Sequence, residues 1–153
     1  MNSFKEIDRR NIKFLKEYLE MTKVEFFDKM RKAGKPKRFG EGWNDDNPTK
    51  GRCGSVVNAL RLSGKIPNGY FACGQNDKDG SHYYLINPKT GEVIDPTCYQ
   101  MEDDYEYGKY HKNFFPQVSN NVLDIMKVLG LEIDKTKFKI KKIRNTLIVS
   151  KKN

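Results

Sequence analysis

Three residues of this chain have the types and spacing for nucleophilic chemistry: Cys53, His82 and Asp95. A thiolate attacks carbonyl carbon. An imidazole takes a proton and returns it, and a carboxylate behind the imidazole fixes its tautomer and stabilises the imidazolium. Cys53 directly follows a Gly-Arg pair and opens the run CGSVVNALRLSG. At a helix start, the unpaired backbone N–H groups and the helix dipole favour an anion, here a thiolate. The cysteine's own N–H then lies where an oxyanion would form. His82 and Asp95 lie thirteen residues apart in GSHYYLINPKTGEVIDPT. Alone, each has a plainer reading: a small buried thiol, a surface or core imidazole, an aspartate capping a turn before Pro96. The chemistry rests on the three being brought together.

The elements that must do so can be read from periodicity. In 53–64, Val56, Val57, Ala59 and Leu60 form an apolar helical face, and Gly64 suits a left-handed cap. Residues 70–75 read as a strand, and 82–86 and 92–95 as a hairpin around NPKTG. With 87–90 as the loop, Ile86 pairs with Gly91, Tyr84 with Val93 and His82 with Asp95. Directly opposed side chains share a face, with Cβ atoms about 4.5–5.5 Å apart. A slip of one residue would send the two to opposite faces.

Around this core, Ser3 with Glu6 and Thr22 with Glu25 carry capping-box spacing. They open two helices, the first with Phe4, Ile7, Ile12, Leu15 and Leu19 on one stripe, the second with Val24, Phe27 and Met30 and ending near Gly34. KPKRFGEGWNDDNPTKG (35–51) is a long loop that Trp43 is placed to anchor. Residues 96–117 are irregular, acidic and tyrosine-rich. SNNVLDIMKVLG makes a further helix stopped by Gly130, and KFKIKKIRNTLIVS a terminal hairpin. The expectation is one α+β domain over 1–153: a helical extension (1–34), a core (43–100) with the Cys53 helix on an antiparallel sheet, and a helix plus hairpin (119–150). Residues 137–149 are positioned to extend that sheet.

Composition narrows the function. With 37% hydrophobic and 12% aromatic residues, 153 residues suffice for a packed core despite 32% charge. Three widely spaced cysteines, Cys53, Cys73 and Cys98, form neither a disulfide framework nor a CxxC metal pair. Two histidines, His82 and His111, give no HExxH, so no metal is expected; His111 reads as a surface residue. Without GxGxxG or GxxxxGK, no cofactor is indicated. No run approaches the about 18 apolar residues that cross a bilayer, and MNSFKEIDRR lacks a signal-peptide core. A soluble cytoplasmic protein with no membrane partner is therefore expected. Of the net charge of +9, much lies in Lys135, Lys137, Lys139, Lys141, Lys142, Arg144, Lys151 and Lys152. Such a terminus suits either a solvated edge that resists aggregation or an acidic or nucleic-acid partner.

WNDDNPTKGRC followed by HYYLINPKTGEVIDPTCYQ resembles the YunG-like family of small bacterial proteins, over about residues 43–100. The matching positions are Trp43, Asn47, Pro48, Gly51, Cys53, His82, Tyr83, Asp95, Thr97 and Gln100. The order Cys, His, Asp on helix, strand, strand is that of papain-like and transglutaminase-like folds. The resemblance implies a minimal papain-like cysteine hydrolase: a thiol-dependent hydrolase or acyl transferase acting on an amide bond, in a protein or other amide substrate, with Cys53, His82 and Asp95 as its triad. Trp43, Asn47 and Arg52 are then the candidates for oxyanion or substrate binding. Asn47 stands six residues before Cys53, the papain-like offset for an oxyanion-stabilising Gln, and is also an ordinary Asn-Pro turn. Arg52 stands where the family tends to have Gln; it either removes an oxyanion donor or binds an anionic substrate. The alternative is a catalytically inactive papain-like basic binding protein, of a kind that suits a phage or mobile element, taking a host factor or nucleic acid.

Overall fold

The computed structural model describes residues 2–77, 80–111 and 118–152. Within them the chain is mixed α+β, with four helices and two small antiparallel sheets: α1 (Phe4–Tyr18), α2 (Lys23–Ala33), α3 (Cys53–Leu62), β1 (Phe71–Asp77), β2 (Gly80–Ile86), β3 (Val93–Ile94), a 3-10 turn (Cys98–Gln100), α4 (Asn120–Leu129), β4 (Phe138–Ile143) and β5 (Thr146–Lys151). Among these residues no helix is long and apolar enough to cross a membrane.

The helix ends follow local chemistry. Ser3 Oγ accepts from Glu6 N at 3.3 Å. Thr22 and Glu25 close a full capping box, each side chain on the other's backbone N–H at 3.1 Å. Gly130 takes the left-handed conformation that stops α4 (φ 68°). After α3, Lys65 N reaches back to Leu60 O at 2.9 Å around left-handed Gly64.

β2 is the centre of the three-stranded sheet β1-β2-β3, and alternation divides its residues between two clusters. Leu85 and Ile94 enter the larger core, with Val56, Val57 and Leu60 of α3, Phe26 and Met30 of α2, and Val122, Ile125 and Met126 of α4. Cys73, Tyr84, Ile86 and Val93 form the smaller one, with Ile7 and Cys98. α1 serves both: Ile7 joins the smaller cluster, and Phe14 and Leu15 the larger. Each Leu, Ile, Val or Phe so buried contributes about 1.5–3 kcal/mol. α3 is buried along most of its length, which fixes its first turn against the sheet.

Three expectations are corrected. On α1 and α2, Ile12 and Val24 are exposed (44% and 70%), and Asn11, Phe14 and Phe26 take the buried positions instead. The terminal hairpin does not extend the first sheet; β4 and β5 form a sheet of their own, with Phe138 and Val149 in the larger core. The β2–β3 register is also displaced by two residues, pairing Leu85 with Ile94 and Ile86 with Val93. The cause is Asn87: its Oδ1 accepts from Lys89 N (3.0 Å) and Thr90 N (3.4 Å), and its backbone N donates to Glu92 O (2.9 Å). This Asx turn makes Asn87, not Ile86, the residue from which the loop departs. A two-residue displacement preserves the face of every side chain. His82 and Asp95 therefore remain on one face, diagonal rather than opposed.

Candidate active site

Cys53 is the first residue of α3 and partly exposed. Its position depends on the loop before it. Gly51 has φ +77°, and a Cβ there would come 2.0 Å from the Phe39 carbonyl oxygen, so only glycine fits. Gly51 N donates to Gln100 Oε1 at 3.0 Å. Beyond the cysteine, Tyr83 lies 3.4 Å from where a Gly54 Cβ would stand and 2.7 Å from that of Gly74. The small residues on α3 and β1 thus let helix and sheet close around one ring. Cys53 Sγ comes within 4.0 Å of Ser81 O at the start of β2, and the thiol is a side-chain hydrogen-bond partner of the His82 imidazole.

His82 is 2% exposed. Its Nε2 lies 2.6 Å from Asp95 Oδ2. The rings of Tyr84, Tyr105 and Tyr107 stand around it, with centroids 5.9, 5.4 and 6.2 Å away. Burial pushes the imidazole toward its neutral form, but is outweighed by the charge and hydrogen bond of Asp95 and by Cys53, so its pKa rises from 6.5 to about 10.

Asp95 is fully buried and completely surrounded by donors. Oδ2 also accepts from Tyr107 OH at 2.6 Å, and Oδ1 from Thr97 N and Thr97 Oγ1, both at 3.3 Å. Its backbone is clamped by Asn11 of α1, which donates Nδ2 to Asp95 O (2.6 Å) and accepts from Asp95 N on Oδ1 (3.0 Å). Gln100 Nε2 donates to Thr97 Oγ1 at 3.0 Å. One chain of hydrogen bonds therefore runs from Gly51, two residues before the thiol, through Gln100 and Thr97 to the carboxylate.

The other sequence candidates fall elsewhere. Trp43 anchors its loop, donating Nε1 to Pro48 O at 2.9 Å. Asn47 sits in a turn whose N–H is bound by Asn44. Arg52 is 1% exposed and donates Nη2 to Gly34 O at the end of α2; burial lowers its pKa, and the charge of Asp124 opposes that. Among the described residues, none of these three side chains is hydrogen-bonded to Cys53. The Arg52 guanidinium thus lies under the end of α2, held to Gly34 O through Nη2 alone, with its Nε and Nη1 buried and without hydrogen-bond partners among the described residues. Cys73 and Cys98 are buried, and burial raises the Cys73 thiol to about 12 and pushes the Cys98 thiol up as well. His111 joins the open edge of β1, exchanging backbone bonds with Gly74 (3.2 and 2.7 Å). Among the described residues no cluster of His, Cys, Asp or Glu could hold a metal. Two hollows of about 420 and 410 Å³ flank Leu123 of α4, and Cys53 lines neither.

No family model, curated protein or solved structure matches this chain. Its chemistry must therefore be argued from the site itself.

Asn11, Tyr107 and Gln100 position the acid of this site without having been singled out for that role in the sequence. Asn11 carried a signal that the stripe drawn through Ile12 passed by: it stands four residues from both Ile7 and Leu15, on the face that α1 buries. Tyr107 lies in irregular chain twelve residues past Asp95, where no periodicity marks one tyrosine over another.

Proposed function

We propose that the protein is a thiol-dependent hydrolase or acyl transferase acting on an amide bond, built on a papain-like arrangement. Cys53 is its nucleophile, His82 its general base and acid, and Asp95 the residue that orients the imidazole. The observation that carries this reading is the buried 2.6 Å His82–Asp95 pair with Cys53 on the same imidazole at the mouth of a helix.

With Nε2 committed to Asp95, Nδ1 is the nitrogen left for the thiol. Cys53 Sγ attacks the carbonyl carbon, and the oxyanion is met by backbone N–H groups of the first turn of α3, which have no partner within the helix. The C–N bond breaks as His82 gives its proton to the leaving amine. Water, or a second amine in the transferase case, then adds to the thioester, losing its proton to His82, and the thiolate departs. Asp95 fixes the ring and stabilises the imidazolium.

Alkylation by iodoacetamide at pH 7, followed by peptide mass spectrometry, tests the pair directly. Cys53 is expected to label first, with buried Cys73 and Cys98 as internal controls, and His82→Ala to slow Cys53 at least about 10-fold. Equal Cys53 rates in both proteins would remove the basis for the proposal. Against an amide substrate, Cys53→Ala and His82→Ala are each expected to abolish turnover.

A further inference from the structure

The terminal ribbon lies apart from the Cys53 site and has a charge of its own. Residues 135–152 contain eight Lys and Arg and no Asp or Glu, so of 29 basic and 20 acidic residues the remainder holds 21 and 20, a net of only +1. The pairing of β4 with β5 sorts those charges. Phe138, Ile140 and Lys142 share one face with Lys151, Val149 and Leu147; Phe138 and Val149 of that face are buried in the core. Lys139 and Lys141 share the opposite, outward face with Ser150 and Ile148. Lys152 N donates to Lys137 O at 2.8 Å, continuing the register by one pair, so Lys137 and Lys152 also face outward, opposite one another. All four lysines are exposed. Among the described residues none closes a salt bridge, although Asp134 lies near Lys137. Like charges directly opposed on a ribbon destabilise it, and a polyanion laid on the face relieves that repulsion.

We infer that the outward face of the β4–β5 ribbon binds the phosphate backbone of duplex nucleic acid, through Lys137, Lys139, Lys141 and Lys152. Successive lysines on β4 are about 7 Å apart, and a two-stranded ribbon is narrow enough for the major groove of DNA. A protein partner needs a pocket for a buried anchor. The two hollows take Ile140, Lys142 and Leu147 from the inner face of the ribbon and Asn145 and Thr146 from its turn end, and none of Lys137, Lys139, Lys141 and Lys152 lines either. The outward face offers rows of charge, with Ile143 and Ile148 at its turn end. Lysines aimed at phosphates carry no base readout, so the binding is independent of sequence.

The test is fluorescence anisotropy with a fluorescein-labelled 20-bp DNA duplex from 50 to 200 mM NaCl. Four phosphate contacts give a log–log salt slope of about −3.6, or about 150-fold weaker binding across that range. Lys139→Glu with Lys141→Glu is expected to reduce the slope by about 2 and weaken binding at 50 mM at least about 10-fold. Lys13→Glu with Lys16→Glu, an exposed pair on α1 with the same change in net charge, should leave affinity within about 3-fold. Circular dichroism of each variant confirms that it is folded. No binding at 50 mM, equal losses in the two variants, or tighter binding to poly-L-glutamate than to the duplex would each overturn the inference, the last by assigning the face to an acidic protein.

Discussion

Asp95→Asn exchanges one oxygen for an NH2 group and removes the only buried carboxylate among the described residues. Oδ2 accepts from His82 and Tyr107, and Oδ1 from Thr97 twice. An asparagine amide can keep its oxygen toward one pair of donors but turns an NH2 toward the other. Breaking a buried pair in this way costs about 3–5 kcal/mol, a large part of the about 5–15 kcal/mol that holds a domain folded. The imidazole gives a second figure. Its pKa rises from 6.5 to about 10 on folding, and at about 1.4 kcal/mol per pH unit that is about 5 kcal/mol, shared between Asp95 and Cys53. The sign follows from the direction. A raised folded-state pKa means that the stabilisation is complete below 6.5 and is lost as pH climbs toward about 10. Between pH 6.5 and 8.5 the wild type should lose about 2–3 kcal/mol of unfolding free energy. In Asp95→Asn, burial is opposed by Cys53 alone, the imidazole is neutral, and the slope disappears. Urea unfolding of both proteins at pH 6.5, 7.5 and 8.5 measures the difference, stopping short of the range where the buried thiols begin to matter. Parallel pH profiles in the two proteins, or wild-type stability that rises with pH, would refute the reasoning.

Two further substitutions probe the supports of the site. Asn11→Ala takes the partner from the buried Asp95 N–H and leaves the Asp95 C=O with Cys98 N alone, and should cost about 1–3 kcal/mol in urea unfolding, with Cys53 alkylation slowed as the carboxylate loses its fixed position. Gly51→Ala places a methyl 2.0 Å from the Phe39 carbonyl at φ +77°, so the loop before Cys53 must shift; about 1–3 kcal/mol of stability and several-fold in Cys53 alkylation should be lost together, whereas loss of stability alone would separate the loop from the thiol.

The helices were the most legible part of the fold in their existence and boundaries, as at Thr22–Glu25 and Gly130, but less so in their faces: Ile12 and Val24 are exposed where the apolar stripe placed them inside, because the stripe drawn through them runs one residue off the face that packs. The hairpin was legible in its faces but not in its register. The pleat fixes faces, whereas register is set by the turn, and Asn87 competes for the turn's N–H groups with a side chain whose reach the alternation does not encode. Cys53, His82 and Asp95 could be named because residue type and element position coincide at each. The burial of Arg52 was not legible, because it arises from the meeting of α2, α3 and α4, which no local pattern records. The same reason hid the separate sheet at the C terminus, where Phe138 and Val149 choose the helical core over the edge of β1-β2-β3.

The clamp on Asp95 has a consequence in time. Asn11 precedes Asp95 by 84 residues, and a contact of such span forms only after the intervening chain has collapsed. A growing chain on the ribosome therefore displays Cys53 well before anything holds the base and acid in line. On the proposed chemistry, the thiol acquires its full reactivity only once the first helix has docked beside β3, so folding itself arms the nucleophile.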